Sequence, residues 1–266
     1  MPRTIWIRAT RMKRMLMTLL IPIVLAGCST TDDQINSGLW HFNAGLHAQA
    51  IPRLLSGAES LQKSTPADPR LPSVLMALGN MAEEAKRADL AERYYQQAIQ
   101  SVDEFHSKDD IQVRNALVQL GLFYSSVRRY SDAIPLLTRA THISAKTANI
   151  NNRYAIDLDN LSLAVIGDGR QADAMMLNDE ALQALKVLPQ TAENIATRGV
   201  VHFNRAYALA EQGNNVAAED YYLHAITDIS SSSEAWRMKI VRESYAAFLR
   251  KMGRVEEANT IEPAKP

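Results

Sequence analysis

The sequence predicts an all-α protein built from about six repeats of a two-helix unit, with the last unit truncated. Segments rich in helix-breaking residues recur about every 41 residues, centred near positions 68, 108, 150, 191 and 231. Between them, apolar residues follow the three-and-four spacing of amphipathic helices, as in Leu75, Leu78 and Ala82. Four units carry a glycine where a short turn must join their two helices: Gly45, Gly169, Gly213 and Gly253.

Residues 1–27 are predicted to be an export signal. The charged residues before Cys28 are five arginines and lysines, and an apolar run of about 12 residues follows them. A bilayer-spanning helix needs about 20 residues, so this run is too short to be one, but it is typical of a signal peptide. Either Met1 or Met12 can be the start, because the segment from Met12 already contains both regions.

The end of this signal, Leu25-Ala26-Gly27-Cys28, resembles the lipobox of bacterial lipoproteins. In that family the cysteine becomes the lipid-modified first residue of the mature protein, which implies lipidation of Cys28 and a short tether over residues 28–33. An aspartate after the cysteine tends to retain such proteins in the inner membrane. Ser29 stands there instead, so the resemblance implies an outer-membrane lipoprotein on the periplasmic side. The alternative is an unmodified, buried cysteine.

The mature chain should be mildly acidic. Without the five basic residues of the signal, 24 of the 29 basic residues remain against 29 acidic ones, a net charge of −5. The chain therefore lacks the excess of lysine and arginine that is typical of nucleic-acid-binding proteins.

The repeats share a register of small residues. The first helix of each unit has one at Gly38, Gly79, Gly121, Ser162, Ala206 and Ala246. Twelve residues later each unit has an alanine: Ala50, Ala91, Ala133, Ala174, Ala218 and Ala258. This pattern resembles the tetratricopeptide repeat (TPR) family, in a variant with a spacing near 42. The resemblance implies a right-handed α-solenoid over residues 31–262, followed by a tail at 263–266. Pro263 should cut short the second helix of the last unit.

The same resemblance implies a binding groove. In the TPR family the first helices line a concave surface, where asparagines bond to an extended peptide and aromatic residues receive its apolar side chains. The matching asparagine positions hold Asn36, Gln119, Asn160 and Asn204, and the neighbouring groove position gives Asn80. Adjacent groove-facing positions hold Phe42, Phe203 and Tyr207. Successive units lack the lysines and arginines of a carboxylate clamp. The alternative is that these side chains belong only to the repeat consensus.

Nothing in the sequence indicates catalysis, a metal site or a cofactor. The single cysteine excludes an intrachain disulfide, and the six histidines lack the spacing of a zinc site. The segment 167–170 (GDGR) lacks the lysine and serine of a phosphate-binding loop and lies where the repeat requires a turn. We therefore expect a protein that is not an enzyme.

The sequence thus predicts a membrane-anchored scaffold that binds an envelope protein through its groove. Lipoproteins of this architecture serve pilus or secretin assembly, outer-membrane biogenesis, polysaccharide export or regulation of peptidoglycan enzymes. Fold analogy cannot choose among these pathways. One alternative is a soluble TPR regulatory protein, and a less favoured one is an envelope enzyme with an unrecognised site. The oligomeric state is left open.

Overall fold

The computed structural model describes residues 30–64, 68–105, 110–148, 151–230 and 235–262, which form twelve α-helices without a strand. In chain order these are α1 (Thr31–Asn43), α2 (His47–Gln62), α3 (Leu71–Glu84), α4 (Ala88–Phe105), α5 (Ile111–Ser126), α6 (Tyr130–Ala145), α7 (Arg153–Gly167), α8 (Gln171–Lys186), α9 (Ala192–Glu211), α10 (Asn215–Ser230), α11 (Ala235–Lys251) and α12 (Val255–Ile261). Successive pairs correspond to the six units predicted from the sequence.

The described helices belong to two compact parts, one holding α1–α5 within residues 30–127 and the other α6–α12 within residues 128–262. In the first part, buried residues of α2 and α3 such as Leu54 and Leu75 form an apolar cluster. In the second part, Phe203, Tyr222 and Tyr245 belong to a cluster that joins α9, α10 and α11. Each part therefore has a core of its own.

Within each of the first two repeats, the two helices meet where a small residue faces a large one. A Cβ atom added to Gly38 of α1 would lie 2.7 Å from Leu54 Cδ2 of α2. A Cβ atom on Gly79 of α3 would lie 2.6 Å from Tyr95 Cε1 of α4. Both distances are shorter than a van der Waals contact, so a larger residue at either glycine would overpack the crossing.

The fourth repeat replaces this arrangement with a buried polar pair. Ser162 of α7 and Asn178 of α8 are both fully buried. The Asn178 amide nitrogen donates to Ser162 Oγ at 2.9 Å, and Ser162 Oγ donates to the Asp159 carbonyl at 3.1 Å. Asn178 Oδ1 has no hydrogen-bond partner among the described residues. This crossing is thus held by hydrogen bonding rather than by an apolar contact.

The alanines of the repeat register lie on the second helices of the units. Every one of them is completely buried: Ala50, Ala91, Ala133, Ala174, Ala218 and Ala258. A second buried small residue follows seven positions later in five units: Gly57, Ala98, Ala140, Ala181 and Ala225. The second helices therefore present a stripe of small residues to the interior, which lets the neighbouring helices approach closely.

The turns inside the repeats share one backbone conformation. The four glycines singled out above have φ between 74° and 84°, and Lys86 and Arg128 occupy the equivalent position with φ of 59° and 64°. In the fifth repeat, for example, the Gly213 amide donates to the Ala210 carbonyl at 3.1 Å and the Asn214 amide to the Leu209 carbonyl at 3.0 Å. A residue with positive φ lets the chain reverse while these terminal carbonyls stay satisfied.

The final helix, α12, has only 7 residues but is tied to the repeat before it. Arg254, its N-cap residue, donates to both carboxylate oxygens of Glu219 on α10, at 2.6 and 2.8 Å. Ala258 of α12 is fully buried. The shortened last unit therefore keeps the packing of a complete one at its first turns.

Candidate functional site

In the first part of the structure, three of the proposed groove residues are polar side chains on the first helices of successive repeats. Asn36 of α1 is exposed, whereas Asn80 of α3 and Gln119 of α5 are half-buried. Each of these three repeats therefore presents a side-chain amide that solvent reaches. Amide side chains can both donate to and accept from the backbone of an extended peptide.

Asn80 has a fixed orientation. The hydroxyl of Tyr95, a buried residue of α4, donates to Asn80 Oδ1 at 2.7 Å and lies 3.1 Å from Glu83 Oε2. Because this contact uses the amide oxygen, the amide nitrogen is left as the group that can donate to a ligand. The second helix of this repeat thus orients a polar side chain on the first.

Phe42 is only partly available as an apolar contact. It is half-buried, packs against the cluster around Leu54 and stacks on the ring of His47 with centroids 5.9 Å apart. His47 Nδ1 in turn lies 2.9 Å from Glu84 Oε2. Phe42 therefore contributes to the packing of the first repeat and keeps only part of its surface accessible.

In the second part, two proposed groove residues retain accessible surface. Asn160 of α7 and Tyr207 of α9 are both half-buried. Burial raises the pKa of Tyr207, and the nearby charge of Glu211 raises it further. Tyr207 is therefore a neutral hydrogen-bonding group at physiological pH.

The expectation that Phe203 and Asn204 face a groove is wrong, because both are buried. Phe203 is fully enclosed and makes an edge-on contact with Tyr222 of α10, with ring centroids 6.2 Å apart. Asn204 is 2% exposed, and its amide nitrogen donates to both carboxylate oxygens of Asp159 at 2.9 and 2.8 Å. A ligand could reach neither side chain without separating α9 from its neighbours.

A second polar contact also joins α7 and α9. Asn152, directly before α7, donates to Thr197 Oγ1 on α9 at 3.0 Å, and both residues are buried. Together with the Asp159–Asn204 contact, it lets the first helices of the fourth and fifth repeats bond to each other. Sequence reasoning missed Asp159, although an aspartate in the apolar pattern of α7 was a signal that a buried partner exists.

An ion-pair cluster lies inside the fifth repeat. Arg198 of α9 donates to both oxygens of Asp228 on α10, at 2.9 and 2.7 Å, and His202 Nδ1 lies 3.0 Å from the same carboxylate. Burial opposes ionisation of Asp228, but the hydrogen bonds and charges of Arg198 and His202 prevail and lower its pKa to about 2. The cluster holds α9 against α10; Asp228 is buried within it, whereas the Arg198 side chain is 30% exposed.

The described residues contain no group of three or more His, Cys, Asp or Glu side chains arranged to hold a metal ion. His106 and Cys28 lie outside them. Within the same ranges, no helix combines the length and apolar character needed to cross a bilayer.

Comparison with family profiles finds a match to the tetratricopeptide repeat over residues 70–146, which include α3–α6. A second match, over residues 12–29, is to the prokaryotic membrane lipoprotein lipid attachment site and includes Cys28. The TPR match thus lies behind a match to a lipoprotein lipid attachment site. Both resemblances predicted from the sequence, the TPR and the lipobox, are thereby confirmed, and the second match is to a signal found in membrane-anchored bacterial lipoproteins.

Solved structures with the same fold support the TPR assignment. BtubC from P. vanneervenii is 16% identical with a TM-score of 0.65, and the match covers 75% of this chain and 80% of that one. A Rap protein in complex with Competence and Sporulation Factor is 14% identical with a TM-score of 0.67, over 89% of this chain and 65% of that one. PilF from Pseudomonas aeruginosa is 19% identical with a TM-score of 0.56, over 87% and 88%. Comparison with curated proteins finds no match.

These findings confirm the predicted fold class, an all-α array of TPR-like units. At such low identity the likeness concerns the fold alone. TPR folds are protein-interaction scaffolds, so protein partners are the general expectation for this chain.

Proposed function

We propose that this protein is a lipoprotein anchored through Cys28 in the outer membrane, on the periplasmic side, and that its TPR array holds an envelope protein in place. Two features support the proposal: the lipid attachment signal directly before the first repeat, and the solvent-accessible amides on successive first helices. The signal anchors the protein, and the amides bind the partner.

The oriented amide of Asn80 is the observation that carries the binding proposal. Tyr95 fixes this side chain before any ligand arrives, so less conformational entropy is lost on binding. Gln119 presents a second amide on the next first helix. Asn36 and Phe42 extend the same surface in the first repeat, while Asn160 and Tyr207 provide a comparable pair in the second part.

The partner is an extended segment of an envelope protein. The Rap structure shows a similar fold in complex with Competence and Sporulation Factor, so this fold is compatible with holding a second molecule. Pilus or secretin assembly, outer-membrane biogenesis, polysaccharide export and control of peptidoglycan enzymes each require such a scaffold.

The binding role is tested by crosslinked pull-down from native membranes followed by mass spectrometry. Replacing Asn80 and Gln119 together by alanine should weaken partner affinity about thirtyfold and lower recovery accordingly, because each lost hydrogen bond contributes roughly 1 kcal/mol. Tyr95 keeps its contact with Glu83, so the melting curve should stay unchanged. Gln100→Ala, an exposed amide on the second helix α4, is the matched control. Equal recovery from all three proteins would remove the binding role from this surface.

The anchor is tested separately by fractionation of cells that carry the wild-type chain or Cys28→Ala. Wild type should be recovered with the outer membrane, and the variant should lose that attachment. Wild type in the cytosol would instead support a soluble TPR regulator.

A further inference from the structure

One position of the first helix regularly packs against the second helix of the preceding repeat. It lies two residues after the small residue of the register. In the third repeat it is Phe123, whose ring centroid lies 5.7 Å from that of Tyr95 on α4. In the last repeat it is Phe248, 5.5 Å from the ring of Tyr222 on α10.

Trp40 occupies this position in the first repeat, and it is exposed. Its relative accessibility is 62%, the highest of any Trp, Tyr or Phe among the described residues. The five equivalent residues are all at least nine-tenths buried: Met81, Phe123, Ala164, Ala208 and Phe248. In the later repeats this surface of the first helix is buried, whereas in the first repeat it remains exposed at Trp40.

The rest of this surface, which we call the end face, is polar. It comprises Asp33, Ser37 and Trp40 of α1 and Arg53 of α2. Asp33 and Ser37 stand where α3 has the buried Val74 and Leu78. The equivalents of Arg53 are all apolar or aromatic: Tyr94, Leu136, Leu177, Tyr221 and Ile261. Exposure of the end face to solvent explains why polar residues replace the apolar ones at these positions. It does not explain why the large apolar side chain of Trp40 is there.

The distance to the lipid signal identifies what covers Trp40. Helix α1 begins at Thr31, and its N-cap Thr30 is closed by a capping box in which Asp33 N donates to Thr30 Oγ1 at 3.2 Å. Only Ser29 separates Cys28 from this cap, so the two Cα atoms are at most about 7 Å apart. Trp40 lies ten residues beyond the cap, roughly 15 Å along α1. A lipid on Cys28 therefore holds the start of α1 at the bilayer surface, with Trp40 within reach of it.

We propose that the end face lies on the lipid headgroups, with Trp40 inserted at the membrane–water interface and Arg53 beside the phosphates. Tryptophan is enriched at this depth because its ring is apolar and its N–H is polar, and arginine pairs well with phosphate. The inference rests on the proposed anchor at Cys28. It adds an orientation: α1 lies along the membrane surface.

Two tryptophans follow Cys28, Trp40 and Trp236, which makes fluorescence a direct test. The lipidated protein with Trp236→Phe has Trp40 as its only tryptophan after signal removal. It is reconstituted in vesicles of phosphatidylethanolamine and phosphatidylcholine whose acyl chains carry bromine. Trp40 emission should shift to shorter wavelength, lose most of its intensity to the bromine and become less accessible to acrylamide. The matched protein, Trp40→Phe, reports on Trp236, which packs against the core of the last repeat and should not respond.

Arg53 provides a second test on the Trp236→Phe background. Arg53→Glu should weaken bromine quenching of Trp40, since a carboxylate cannot donate to or pair with the phosphates, whereas Arg53→Lys should preserve it. Unchanged quenching in Arg53→Glu would overturn the phosphate contact.

The remaining outcomes separate the orientation from the anchor. Vesicle-bound protein whose Trp40 stays as accessible to acrylamide as in Cys28→Ala would overturn the proposed orientation and leave the anchor standing. Concentration-dependent protection of Trp40 in vesicle-free Cys28→Ala would also overturn it, because a second copy would then cover the end face. Intact mass spectrometry that finds no lipid on Cys28, together with no vesicle binding, would overturn both proposals.

Discussion

Exchanging the buried pair Ser162 and Asn178 for the glycine and leucine of the first repeat should expose a strong coupling between α7 and α8. Ser162→Gly alone removes the acceptor of the Asn178 amide, which costs about 1–3 kcal/mol, and places a glycine inside a helix, which costs about 1 kcal/mol more. Asn178→Leu alone brings a branched side chain against the Cβ atom of Ser162. At the first crossing, a Cβ atom added to Gly38 would lie 2.7 Å from Leu54 Cδ2, so a comparable conflict in the fourth repeat should cost about 1–3 kcal/mol.

The double variant should behave differently from the sum of the two. It removes both the unsatisfied Oδ1 of Asn178 and the steric conflict, and leucine adds apolar burial. We expect a free energy of unfolding within about 1 kcal/mol of wild type and a coupling of at least about 2 kcal/mol. Urea unfolding measures the cycle, and hydrogen exchange in α7 and α8 localises it. Additive losses in the double variant would refute the idea that this polar pair replaces the small–large contact of the other repeats.

Three further predictions concern packing, backbone and pH. Ala133→Leu should lower the melting temperature by several degrees more than Ala145→Leu, since Ala133 is fully buried, Ala145 is exposed and overpacking costs about 1–3 kcal/mol; equal melting curves would count against the repeat register. Gly213→Ala should lower the free energy of unfolding measured in urea by about 1 kcal/mol, because φ is 78°, while the added Cβ would meet no neighbouring side chain or helix within 4 Å. The lowered pKa of Asp228 stabilises the fold above pH 4 by about 2 kcal/mol, a contribution that is lost as the pH falls towards 2. Asp228→Asn should therefore flatten the stability profile between pH 4 and 2, and an unchanged slope would contradict the assignment.

The repeat register could be predicted because it depends on local chemistry. Only small residues fit where two helices cross closely, and only glycine enters a turn with positive φ without strain. The helix crossings at Gly79 and Ala91 could therefore be predicted from the sequence, and both residues are buried in the structure. Lys86 and Arg128 adopt the same positive φ without glycine. These two turns could therefore be predicted only from the spacing of the helices and not from the residue in the turn.

The groove was less predictable, because accessibility depends on the neighbouring repeats. Asn80 and Asn204 are both asparagines of a first helix. Asn80 is half-buried and oriented by Tyr95, whereas Asn204 is buried against Asp159, 45 residues earlier in the chain. A pattern of helical periodicity reports which face of a helix a residue occupies, but it does not report whether the next helix covers that face.

By itself, the sequence determined the lipoprotein signal, the all-α class, the number of units and the small residues at their crossings, since each follows from local spacing and side-chain size. Only the tertiary structure decided which polar residues remain open. It buried Phe203 and Asn204, oriented Asn80, and left Trp40 exposed on the end face. The physical reason is that the burial of a side chain depends on how neighbouring repeats pack against it. The sequence of a single helix does not contain that information.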